Sequence, residues 1–167
     1  NKAGDFTVTM DKDAFNMGIT LSETPDFKNP TRFLAGEKCE NMADCTFAWL
    51  PDDIDDIDGS HNRSNGQEFL AYTFYVENAG EVDVEYKAQI VIDSVALDVD
   101  EAMRVMVFRN GEPTIYAKPK KGTLDQFEEN KNSAGVVQYT VDENFVSNTK
   151  VMECKEDLFK VNDVDKY

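Results

Sequence analysis

An all-β fold, a jelly-roll-like antiparallel β-sandwich with long loops, is what this sequence predicts, and three observations carry the expectation. Residues 81–93 alternate apolar and polar side chains with a period of two. Asn110-Gly111 lies between two apolar runs, where it reads as a tight hairpin turn. Seven or more short strand-like runs follow one another with turn residues between them, and no 20–50-residue repeat interrupts them. Many short strands at such spacing favour two packed sheets over a closed barrel.

Taken in chain order, DFTVTM places Phe6, Val8 and Met10 on one side and Thr7 and Thr9 on the other, and FNMGITLSE offers a second short strand. In FLAYTFYVE, Leu70, Tyr72, Phe74 and Val76 fall on one face, with Thr73, Tyr75 and Glu77 opposite. Asn78-Ala79-Gly80 then supplies turn residues, so 69–93 reads as a β-hairpin. Its second arm sets Val82, Val84, Tyr86, Ala88, Ile90 and Ile92 against Asp83, Glu85, Lys87, Gln89, Val91 and Asp93. That is a long strand with one buried face and one wet face. RVMVFR and EPTIYAK flank Asn110-Gly111 as a second hairpin, because both turn residues tolerate the positive φ of a type I′ turn. Pro113 has no N–H and marks an edge or an irregular strand start. TLDQFEEN reads as a short helix or a loop, VVQYTV as a strand, and VMECKEDLFKV as a last strand or a short helix. The whole of 1–167 reads as one sandwich domain, with 1–13 as a mobile or donor N-terminal strand and 51–67 as an acidic surface loop.

Thirty-three Asp and Glu stand against 17 Lys and Arg, a formal charge of -16. Nucleic-acid binding draws its affinity from clustered cations, so this balance argues against it, as it does against docking on anionic lipid. A cation such as calcium, or a basic surface, suits the charge; so does plain solubility. No apolar run approaches the ~18 residues of a membrane span. The chain opens on Asn1 within a polar stretch, as a processed or trimmed mature chain does. Cys39 and Cys45 enclose a short loop that closes as a disulfide if their Cα atoms come within about 7 Å. Cys154 is then left as a buried thiol or an intermolecular partner.

The densest candidate site is the acidic loop, where Asp52, Asp53, Asp55, Asp56 and Asp58 precede Gly59 and Asn62. Calcium wants six to eight oxygens, and Asp53, Asp56 and Asp58 are the candidate ligands. The fit to an EF-hand is poor: with Gly59 in the sixth position, Ile54 would stand first and Asn65 twelfth. The other reading is a solvated loop ending in a glycine turn. Calcium is thus the one cofactor the residues suggest. Catalysis finds less: His61 is the only histidine, no GxSxG elbow or HExxH helix exists, and carboxylate spacing cannot place an acid pair across a cleft. The expectation is a protein that is not an enzyme. Trp49, Phe47 and Tyr75 are the rings that would serve a glycan partner, although a Trp beside a cysteine is more often core.

MDKDAFNMGITLSETPD resembles the mature N-terminal region of the TasA and camelysin group of secreted bacterial surface proteins. AYTFYVENAGEVDVEYKAQIVI is similar to that group's aromatic strand, turn and following alternating strand, through Phe74, Val76, Glu77, Asn78 and Gly80. The resemblance covers roughly a quarter of the chain; RVMVFRNGEPTIYAK and the acidic loop fall outside it. It implies a jelly-roll domain, export by a signal peptide, and a place in bacterial surface layers or biofilm matrix fibres. It also implies an N-terminal strand donated between subunits, which maps onto Phe6, Val8 and Met10 as assembly residues; if that strand instead folds back onto its own domain, the protein is a monomer. Camelysin has been regarded as a protease, but no metal-ligand motif in this chain supports that activity. The expected function is a secreted, cell-surface or extracellular-matrix structural protein that self-associates or meets other surface proteins through β-strands. The alternative is a calcium-dependent adhesion module for a glycan or a protein.

Overall fold

The computed structural model describes residues 6–38, 50–62, 69–96, 100, 103–117 and 150–167. It is mostly β, in small, unclosed antiparallel sheets. The elements run β1 (Thr7–Thr9), α1 (Lys12–Asn16), β2 (Ile19–Ser22), β3 (Phe33–Ala35), β4 (Gly59–Asn62), β5 (Leu70–Thr73) and β6 (Tyr75–Asn78). They continue with β7 (Val84–Val91), β8 (Arg104–Arg109), β9 (Glu112–Ala117), β10 (Lys150–Phe159) and β11 (Val164–Lys166). The span read as one sandwich folds as two compact units, one of residues 1–83 with 160–167 and one of residues 84–159. Among the described residues no helix is long and apolar enough to cross a membrane.

The first unit is centred on a three-stranded sheet in the order β11-β6-β2. Ile19, Leu21, Tyr75 and Val76 are buried there. The expected hairpin of residues 69–93 does not form. β6 already has β2 on one side and β11 on the other, which leaves no ladder edge for β7. Its predicted run also breaks at Phe74, whose N–H and carbonyl bond the carbonyl and N–H of Tyr167 at 3.0 and 2.9 Å. The Asn78-Ala79-Gly80 turn serves another purpose. Asn78 is fully buried, donates to the Val82 carbonyl at 2.9 Å and accepts from the Gly80 N–H at 3.1 Å. Gly80 is packed against the chain leaving α1: a Cβ on Gly80 would lie 2.2 Å from the Met17 carbonyl oxygen.

Where FNMGITLSE reads as one strand, the chain makes a helical turn first. Asp11 caps it by accepting from the Asp13 N–H at 2.7 Å, and Gly18, at φ +100°, ends it in the left-handed region. Part of the acidic loop is likewise a strand. β4 pairs with β5 from Gly59↔Thr73 to Asn62↔Leu70, although GSHN carries no apolar alternation.

The second unit keeps the local patterns the sequence shows. Along β7, Val84, Tyr86, Ala88 and Ile90 are half-buried and Glu85, Lys87, Gln89 and Val91 exposed. Its partner is β10, the strand alternative for VMECKEDLFKV, with Cys154 opposite Ala88 and Glu156 opposite Tyr86. Phe159 is 1% exposed, and its ring meets Tyr86 edge-on at 5.0 Å. The Asn110-Gly111 hairpin forms as read, with Arg109 opposite Glu112 and φ values of +50° and +85° in the turn. Counting from that closing pair, Pro113 opposite Phe108 falls at a non-hydrogen-bonded position, where its missing N–H is not needed.

Candidate functional site

Phe6, Val8 and Met10 form part of a strand segment held to its own chain. β1 runs antiparallel to β3, pairing Thr7↔Ala35, Val8↔Leu34 and Thr9↔Phe33. Flanking hydrogen bonds from Met10 N–H to the Arg32 carbonyl (3.0 Å) and from Gly36 N–H to the Phe6 carbonyl (2.8 Å) frame the ladder. Those two bonds make Thr7–Ala35 and Thr9–Phe33 the non-hydrogen-bonded pairs of the register. The alternation is as read: Phe6, Val8 and Met10 are half-buried, while Thr7 and Thr9 are exposed. Val8 faces buried Leu34 across the strands.

Side-chain packing adds to the ladder at one end. The Phe6 ring lies 5.4 Å from Tyr72, which lies 6.1 Å from Phe74, which stacks on Tyr167 at 5.4 Å. Pairs at such distances contribute roughly 0.5–1.5 kcal/mol each beyond their burial. The Tyr72 hydroxyl donates to Glu23 at 2.6 Å. Burial first, then this carboxylate, holds the Tyr72 phenol well above the usual range.

The acidic segment is tied down differently from a metal loop. Asp53 precedes a 3-10 turn at Ile54–Asp56, with Asp56 N–H on the Asp53 carbonyl at 2.9 Å. Asp58 turns its carboxylate to the Tyr75 hydroxyl at 2.5 Å, and its carbonyl lies 2.6 Å from His61 Nε2. Lys166 Nζ bonds the Asp55 carbonyl. Tyr75 is pushed up to about 12, mainly by burial and then by Asp58 and Asp56. Asp53, Asp56 and Asp58 do not converge: among the described residues no group of three or more His, Cys, Asp or Glu side chains is arranged to hold a metal. Tyr75, considered for a glycan face, is 8% exposed and packs edge-on to Phe27 at 6.5 Å. It is a core residue with its hydroxyl at a carboxylate.

The Tyr72–Glu23 and Tyr75–Asp58 contacts have no sequence signal, since their partners are 49 and 17 residues apart. Cys39, Cys45, Phe47 and Trp49 lie outside the described residues, as do VVQYTV and TLDQFEEN. Cys154 is a half-buried thiol on β10. Comparison of the chain with protein-family models, with curated proteins and with solved structures finds no match.

Proposed function

We propose that this chain is a secreted structural protein of a bacterial cell surface or extracellular matrix, without enzymatic activity, that works through strand contacts between copies. In this reading its sheets complete a jelly-roll-like sandwich. What supports it most is the N-terminal ladder: Thr7–Thr9, within the Phe6–Met10 segment, is a strand paired with the Phe33–Ala35 edge of its own chain. Every copy carries the same strand and the same edge, so a strand released from its own β3 meets an equivalent edge on a neighbour. The ladder spans only three residue pairs and Phe33 beside it is 53% exposed, while release uncovers Leu34 and breaks the Phe6–Tyr72 contact.

Light-scattering molar mass against protein concentration tests this. The full chain should grow into larger species as concentration rises, and a chain lacking residues 1–10 should stay at its monomer mass. Equal association with and without residues 1–10 would remove the strand from the account. The calcium-dependent alternative gains nothing from the geometry of Asp53, Asp56 and Asp58. A melting temperature that rises with calcium, with the rise lost in Asp56→Asn/Asp58→Asn, would restore it.

A further inference from the structure

The first unit holds both strands of the N-terminal ladder, but it does not hold them alike. β3 is anchored beyond the ladder, where the Glu37 N–H donates to the Ser60 hydroxyl at 2.9 Å. Ser60 lies on β4, opposite Tyr72 of β5, so the end of β3 is fixed beside Tyr72. Gly36 makes the approach close. A Cβ there would lie 3.2 Å from Tyr72 Cδ2 and 3.4 Å from the Phe6 carbonyl oxygen. β1 is held by its three-pair ladder and by the ring contact at its start, Phe6 on Tyr72 at 5.4 Å.

Tyr72 is itself fixed from two directions that do not involve β1. Its hydroxyl donates to Glu23, the residue after β2, at 2.6 Å. Its ring lies 6.1 Å from Phe74. Phe74 exchanges two backbone hydrogen bonds with Tyr167, at 3.0 and 2.9 Å, and stacks on the Tyr167 ring with 13° between the planes. The chain after β2 and the end of β11 thus set the ring on which Phe6 rests. A ring already ordered loses no further freedom when a second ring docks on it. A loose ring must be ordered in the same step, which weakens docking roughly two- to tenfold.

We propose that Tyr72, set by Glu23, is a latch that governs how readily the N-terminal strand leaves its own β3. Its role in assembly rests on the strand-exchange reading above; the latch itself lies within one copy. When it is closed, Phe6 sits on Tyr72 and the Met10 and Gly36 N–H groups bond Arg32 and Phe6. When it opens, Phe6 lifts away and both N–H groups lose those partners. A neighbour's β1 entering the vacated edge meets the same Tyr72 ring, so the closed and exchanged forms carry the same contacts. The latch therefore sets the rate of exchange between copies and not its extent.

The test is hydrogen exchange on the intact chain, followed at the Met10 and Gly36 amides that close the ladder. Glu23→Ala removes an exposed carboxylate and leaves every ring in place. It should speed exchange at both amides about two- to tenfold. The Asn78 amide, bonded to the Asp163 carbonyl at 3.0 Å, should keep its rate, which shows that the change is local. In a Tyr72→Phe chain the same substitution should add nothing, because Glu23 acts through the Tyr72 hydroxyl. Light-scattering mass should climb faster in Glu23→Ala than in the native chain and settle at the same value. The latch is overturned if Met10 and Gly36 exchange no faster in Glu23→Ala, or if Glu23→Ala still speeds them in the Tyr72→Phe chain. Faster exchange at these amides with no growth in mass in either chain would uphold the latch and remove strand exchange between copies.

Discussion

Tyr75 carries two tasks at once: its ring fills the core of the first unit and its hydroxyl holds Asp58 at 2.5 Å. Asp58 itself is exposed, so water can replace the phenol if it is removed. Tyr75→Phe should therefore cost only about 1 kcal/mol, below the usual figure for a hydrogen bond to a charged group. The pH dependence is more diagnostic. A phenol raised from about 10 to about 12 contributes stability that is intact below about 10 and is lost as pH climbs through about 12. The advantage of the native chain over Tyr75→Phe should be constant at neutral pH and shrink across that alkaline window, read as melting temperature against pH. A gap that stays flat to pH 12 would mean that Tyr75 titrates alike in the folded and unfolded chains. Neither this contact nor Tyr72–Glu23 is legible in sequence, because a hydroxyl and a carboxylate far apart in the chain leave no local pattern.

Elements divide by whether their cause is local. β7 and the β8–β9 hairpin are legible because alternation and a two-residue turn act within a few residues. α1 is missed, because FNMGITLSE reads as a strand, although Asp11 before it and Gly18 after it are a local helix signal. Partner choice is another matter. Nothing in FLAYTFYVE says that β6 will be flanked by β2 and by β11, a three-residue strand with no pattern of its own. β4 is similar, since it is made by backbone pairing to β5 rather than by side-chain alternation. The link between α1 and the β6 turn yields a prediction at this scale. Gly80→Ala would place a Cβ against the Met17 carbonyl, and a Cβ on Gly18 would meet Gly80 Cα at 2.4 Å. Both obstacles are backbone, so either alanine should cost about 2 kcal/mol or more, seen as a lower denaturant midpoint. Substitution at either position without loss would mean the two segments are not in contact.

Charge dominates at the scale of the whole molecule. Of the 33 acids, 19 lie in residues 1–83 and 160–167 against 8 of the 17 cations, so the unit that carries β1 is the more negative one. Copies that meet through this unit repel one another. Salt from roughly 0.01 M to roughly 1 M shortens the screening length from about 30 Å to about 3 Å and should promote association at fixed protein concentration. Weaker association at high salt would point to ion pairs rather than a strand ladder as the contact.

The central claim is that β1 must leave its own β3 before copies can join, and a reversible tether tests it most directly. Thr7 and Ala35 are a non-hydrogen-bonded pair, where Cα atoms lie about 4.5 Å apart, within the reach of a disulfide. Thr7→Cys/Ala35→Cys, made with serine replacing Cys39, Cys45 and Cys154, locks the strand when oxidised and frees it when reduced. Molar mass by light scattering should stay at the monomer for the oxidised chain at every concentration and rise with concentration once it is reduced. Equal association in both states, or a monomer in both, would contradict the account.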